Sequence, residues 1–208
     1  MFRRIIPLIT VLLLFVACKK EKAYKPAEDI PTNKYYYKTL NTNIDSLQYN
    51  HPLLLDLNAD EVIDFYLSSV LLENNDRPYL YLFINRKTPN QNKIIVRPGE
   101  ELPLNALWAI PLEKNFKIWE NASADAQWSD DQQKTALLNV TDDGSIRTFG
   151  GEWIGKKDKY LGLKFKIAGK YHYGWLRISH KANEAKLAIL DYAYNKEPET
   201  SILAGQTQ

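Results

Sequence analysis

Asp56, Asn58, Asp60 and Asp64 fall within one short run, "DLNADEVID", set between the apolar stretches "PLLL" and "FYL". Three carboxylates that close together repel one another unless a cation or a set of backbone amides sits among them. Counting Asp56 as position one, side-chain oxygens recur at positions three, five and nine, and the Val62 carbonyl falls at seven. Alternating oxygens of this kind suit Ca²⁺, a hard cation that takes six to eight oxygen ligands. The competing reading is an Asx-rich turn between two strands, with the side chains capping backbone N–H groups. The crowding of the acids favours the ion.

An EF-hand would need a bidentate Glu at position twelve and prefers Gly at six, where this chain has Leu67 and Glu61. The spacing instead resembles the loops of FG-GAP-type extracellular β modules, in which D-x-N-x-D-x-x-x-D leads into an aromatic residue and a strand, as Phe65-Tyr66-Leu67 follow here. That resemblance covers about ten residues and implies a structural Ca²⁺ held by Asp56, Asn58, Asp60, the Val62 carbonyl and Asp64. It does not extend to the repeats that a propeller requires. The glycine missing at Glu61 bears on the left-handed position of such a loop.

Other chemistry is less well provided for. The three histidines, His51, His172 and His180, show no metal spacing with another His, Cys or Glu. His172 lies between two tyrosines in a strand-like run and reads as structural; His51, before Pro52, reads as a turn residue. No P-loop, nucleophile elbow or dinucleotide fingerprint occurs. Glu152 and Asp158 are the carboxylates a glycosidase would draw on, but Glu152 beside Trp153 reads more simply as solvated. Trp153, Tyr160, Tyr171, Tyr173 and Trp175 offer a sugar-stacking platform or, as aromatics more often do, a core. The sequence offers no catalytic set and no organic-cofactor motif, which points away from an enzyme.

The amino terminus supplies an address. Arg3-Arg4, the apolar run "IIPLITVLLLFVA" and Cys18 form a secretory signal too short to span a bilayer. "FVAC" resembles the lipobox of bacterial lipoprotein precursors, with Phe15 in place of the usual Leu. The resemblance implies cleavage after residue 17 and several acyl chains on Cys18, the chain's sole cysteine. More than one such chain anchors stably at about 0.8 kcal/mol per buried methylene. It also implies a cell-envelope location, and Lys19 after the cysteine favours the outer membrane, facing either the periplasm or the surface. Residues 18–34 then form the lipidated cysteine and a Lys- and Pro-bearing tether, and residues 35–208 one β-rich domain.

The elements that must position the acidic run are strands. Thirteen Tyr and five Trp accompany period-two runs: "YYYKTL", "PLLLDL", "DFYLSSVLL", "PYLYLFIN" and "KIIVRPG". Residues 100–135 are ambiguous, either one helical turn or a long excursion. "VTDDGSI" has turn chemistry. Late in the chain, "YLGLKFKIAGKYHYGWLRIS" predicts a hairpin turning at Ala168-Gly169-Lys170. That register puts Leu161, Leu163, Phe165 and Ile167 on one face with Tyr171, Tyr173 and Trp175, Gly162 opposite Leu176 and Gly174 opposite Lys164. "KLAILDYAYN" adds a third strand. The fold expected is mainly β, an antiparallel sandwich or curled sheet with little helix. The last stretch, with its "HYGW", is similar to the tails of secreted bacterial β-rich proteins, a likeness that implies fold and compartment and no activity.

Net charge is +2, a surplus that Arg3 and Arg4 alone account for, so the basic footprint of a nucleic-acid binder is absent. The expectation is a lipid-anchored, extracytoplasmic binding or structural protein, membrane-attached through Cys18, with a glycan or a protein as ligand. The alternatives are a secreted glycan-active hydrolase and a subunit of a surface complex.

Overall fold

The computed structural model describes residues 33–45, 51–74, 77–87, 92–99, 101–121, 123 and 125–208. The signal segment, Cys18 and the tether as far as residue 32 lie outside them. Fourteen strands follow in order: β1 Tyr35–Asp45, β2 Leu53–Leu55, β3 Phe65–Asn74, β4 Arg77–Arg86, β5 Lys93–Val96, β6 Ala106–Trp108 and β7 Lys117–Ile118. Then come β8 Gln127–Trp128, β9 Lys134–Asp142, β10 Arg147–Gly150, β11 Lys159–Ile167, β12 Lys170–His180, β13 Lys186–Asn195 and β14 Ile202–Leu203. The mainly β, antiparallel class expected from the sequence is what forms, and no helix occurs among the described residues.

Two large sheets carry the fold. One has the order β1-β13-β12-β11-β5-β8; the other runs β10-β9-β4-β3-β2, with β6 joined in parallel to β9. The period-two runs turn one face of each sheet toward the other. Leu55, Phe65, Leu67, Leu82 and Ile84 from the second sheet meet Leu161, Leu163, Phe165, Leu176, Ile178, Leu187 and Ile189 from the first in one buried cluster. The ambiguous 100–135 region is the long excursion. It covers outer faces instead of adding a helix. Ile118 and Ala126 join Ile202 and Ala204 over Tyr160, Tyr173 and Trp175 on the outside of the first sheet. Leu102 and Ala106 cover Tyr81 and Phe83 on the outside of the second.

The late hairpin forms one register away from the expected one. Ile167 pairs with Lys170, so the turn is the two residues Ala168-Gly169, both at positive φ (49° and 81°). That is the conformation a two-residue type I′ turn demands. A one-residue slip exchanges faces. Gly162 lies opposite Trp175 and Gly174 opposite Leu163, while Lys164 faces Tyr173 and Phe165 faces His172. Leu161, Leu163 and Phe165 therefore point into the sandwich with Leu176 and Ile178, and Tyr173 and Trp175 point to the opposite side with Tyr160.

Candidate functional site

The acidic run connects β2 to β3 and is fixed at both ends by the core. Leu55, Leu57, Phe65 and Leu67 are each almost fully buried. Between them the chain coils back on itself, with the Asp64 amide donating to the Leu55 carbonyl at 2.9 Å. The Asp56 carboxylate accepts the amides of Asp60 (3.3 Å) and Glu61 (2.9 Å). Asp60 accepts the Val62 amide through Oδ1 (2.9 Å) and the Asn58 side-chain amide through Oδ2 (2.8 Å). Ala59 and Glu61 take positive φ values of 59° and 68°. Glu61 thus occupies the left-handed position that glycine fills most easily, at a conformational cost of order 1 kcal/mol.

Asp56, Asn58 and Asp60 are brought together, while Asp64 turns inward. It is only 4% exposed. Its Oδ2 accepts the Leu57 amide at 2.9 Å, and Oδ1 accepts the Asn92 side-chain amide at 3.3 Å. Burial pushes its pKa up to about 6. The Leu57 amide opposes that rise, and the neighbouring charges of Asp60 and Asp56 add to it. Asn92 carries the connection onward, because its Oδ1 accepts the Lys166 amide of β11 at 3.2 Å. Tyr192 of β13 donates its hydroxyl to the Leu57 carbonyl at 3.1 Å. The loop is thereby tied to both sheets at once.

The Val62 side chain is half exposed, and its place in the donor set is through its carbonyl. Among the described residues, no three His, Cys, Asp and Glu side chains form a group able to hold a metal. A cation at this loop would therefore need the amide oxygen of Asn58 or the Val62 carbonyl as well as carboxylates. Asn58 Oδ1 is buried and has no hydrogen-bond partner, and a buried acceptor left unpaired costs about 1–3 kcal/mol. No family model matches the chain, and no curated protein or solved structure matches it.

The remaining candidates are absorbed by structure. His172 Nδ1 lies 2.8 Å from the Asn195 carbonyl. His180 accepts the Gly155 amide at Nδ1 (2.9 Å), which leaves Nε2 to donate to the Glu184 carbonyl (2.7 Å). Both are buried and hold backbone groups. Glu152 grips the Arg97 guanidinium with both oxygens, at 2.7 Å for Nη2 to Oε2. Asp158 exchanges hydrogen bonds with Ser179, so the two carboxylates belong to separate networks. Trp153, Tyr160, Tyr173 and Trp175 are buried, and the Trp153 indole donates to the Ala109 carbonyl at 2.9 Å. Asn92 is the site residue that sequence reading missed. A lone Asn ahead of "KIIV" carries no local signal of a partner 28 residues away.

Proposed function

We propose that the chain is a lipid-anchored, extracytoplasmic β-sandwich that binds or scaffolds without catalysing, and whose acidic loop holds a structural Ca²⁺. The observation that carries the ion is the buried, unpartnered Asn58 Oδ1 among three acids, in a loop bonded to both sheets through Asp64–Asn92 and Tyr192–Leu57. Asp56, Asn58, Asp60 and the Val62 carbonyl would hold the ion, and Asp64 would join them by turning out from the Leu57 and Asn92 amides that its oxygens accept. It would neutralise the loop's charge, and its binding free energy would become folding free energy. The binding or scaffolding part draws support from the two buried histidines, since both ring nitrogens of His180 and Nδ1 of His172 are committed to backbone groups.

Anchoring rests on Cys18 and the signal before it. Cells fed a radiolabelled fatty acid are expected to incorporate label into the wild-type protein and to retain it in the outer-membrane fraction. The Cys18→Ser variant should take up no label and lose that fraction. Equal labelling of the two proteins, or no label in either, would remove the anchor from the account.

A further inference from the structure

The outer face of the first sheet, near the β11–β12 turn, gathers lysines and aromatic rings. Lys93 and Lys164 stand directly opposite each other across β5 and β11, a like-charge pairing that sheets avoid unless something compensates. The Lys164 side chain is only 5% exposed. Its Nζ lies 4.3 Å from the centre of the Tyr171 ring, with the rings of Tyr173 and Trp128 at 5.7 and 5.9 Å. A cation among π faces gains from each ring, but a buried ammonium still needs a counter-charge.

Glu120 supplies it. Lys164 Nζ (2.7 Å) and the Tyr173 hydroxyl (2.6 Å) both donate to one oxygen, Oε2 of Glu120. These donors hold the Glu120 carboxyl well below the usual carboxylate range. Yet the Glu120 side chain is itself 65% exposed. The backbone beneath it is fixed by other means, because the Trp128 indole donates to the carbonyls of Trp119 (3.1 Å) and Glu120 (3.0 Å). Two buried donors thus converge on a single position at the surface, ringed by aromatics and filled by a carboxylate reaching in from solvent. Its surroundings are aromatic and carry charges of both signs, since Asp131 lies 4.0 Å from Lys93 and the Glu199 amide donates to the Tyr171 carbonyl at 2.8 Å, while lysines lie against the rings. Lys117 sits 4.5 Å over the exposed Trp119 ring, and Lys166 lies 4.9 Å from the ring of Tyr171.

We infer that this face binds an acidic polysaccharide, with a uronate ring stacking on the exposed Trp119. Carboxylates of the polymer pair with Lys117 and take the place of Glu120 against Lys164 and Tyr173. Carbohydrate C–H faces suit exposed rings that have a polar edge, and the regular carboxylates of a polyuronate complement the lysines. This ligand class rests on the extracytoplasmic binding reading above. The fatty-acid labelling of Cys18 tests that reading separately.

The test is titration calorimetry of the full chain against polygalacturonate, with uncharged dextran and double-stranded DNA as comparison polymers. Binding is expected to polygalacturonate alone and to weaken as salt rises. Trp119→Ala should weaken it tenfold or more at an unchanged melting temperature. Glu120→Gln, which removes the internal competitor, should tighten it several-fold. Absence of heat with polygalacturonate, equal binding to DNA, or unchanged affinity in both variants would overturn the inference.

Discussion

The Asp191→Ala variant is expected to melt about 6–12 °C below the wild type, a loss of ~3 kcal/mol for a domain of this size. Asp191 is 2% exposed on β13. Its Oδ1 accepts Arg177 Nε of β12 at 2.9 Å, and its Oδ2 accepts both Arg177 Nη2 and, at 2.8 Å, the Tyr37 hydroxyl of edge strand β1. One carboxylate therefore binds three adjacent strands on the outer face. Truncating it leaves the guanidinium and a phenol without their acceptor, which costs more than the intact pair gains. The Arg177 side chain is one-third exposed, and water reaching it keeps the loss below that of a fully enclosed pair. The double variant Arg177→Met/Asp191→Leu should recover most of the loss in a thermal melt. If the single variant melts with the wild type, the carboxylate adds nothing to the backbone ladder that pairs β1 with β13.

The second large effect is a crossed response at Asp64. In chelator, its folded pKa of about 6 lies above the ordinary carboxylate value of 3.8, so the folded state holds the proton more tightly than the unfolded state does. Stability from this group is fully present below about pH 4. It falls as pH rises toward 6 and stays lost above that, a change of about 3 kcal/mol. Asp64→Asn removes the charge and keeps an oxygen for the Leu57 amide, though its own amide then faces that of Asn92. The variant should gain about 1–2 kcal/mol at pH 7.5 in chelator. With Ca²⁺ present the order reverses, because the wild type gains an ion that the variant holds poorly. Glu120, Asp142 and Glu184, whose pKa values are lowered, bend the acid limb the other way. The difference between variant and wild type across pH isolates Asp64. A variant more stable than wild type in both solutions would mark the loop as a self-capped turn.

How far the fold could be read from the sequence follows the range of the forces involved. β13 is delimited to the residue because "KLAILDYAYN" is an unbroken strand-favouring run that ends in turn residues, although a register shift at Leu190 moves its inward positions from Leu187 and Ile189 to Tyr192 and Tyr194. β3 and β4 were placed to within a residue or two for the same reason. The β11–β12 register slipped by one because Ala168 sits at positive φ, where residue type argues against it and sheet twist prevails. β6, β7 and β8 have two or three residues each and exist through their partners, β6 through a parallel pairing with β9. Such strands carry no periodicity to read. In the site, the clustering of Asp56, Asn58 and Asp60 was visible as spacing. The inward turn of Asp64 was not, since it depends on Asn92. Nor was the burial of Lys164, since it depends on the 117–128 segment folding over the sheet.

The central claim, an ion-holding loop that ties the two sheets together, is tested most directly by thermal melts of the full chain at pH 7.5 in excess EGTA and in 10 mM Ca²⁺. For a dissociation constant of about 10⁻⁴ M, ordinary for extracellular modules, linkage gives ~2.7 kcal/mol, or an upward shift of about 5–10 °C. That shift should vanish in Asp60→Ala. Identical melting temperatures in the two solutions would contradict the account.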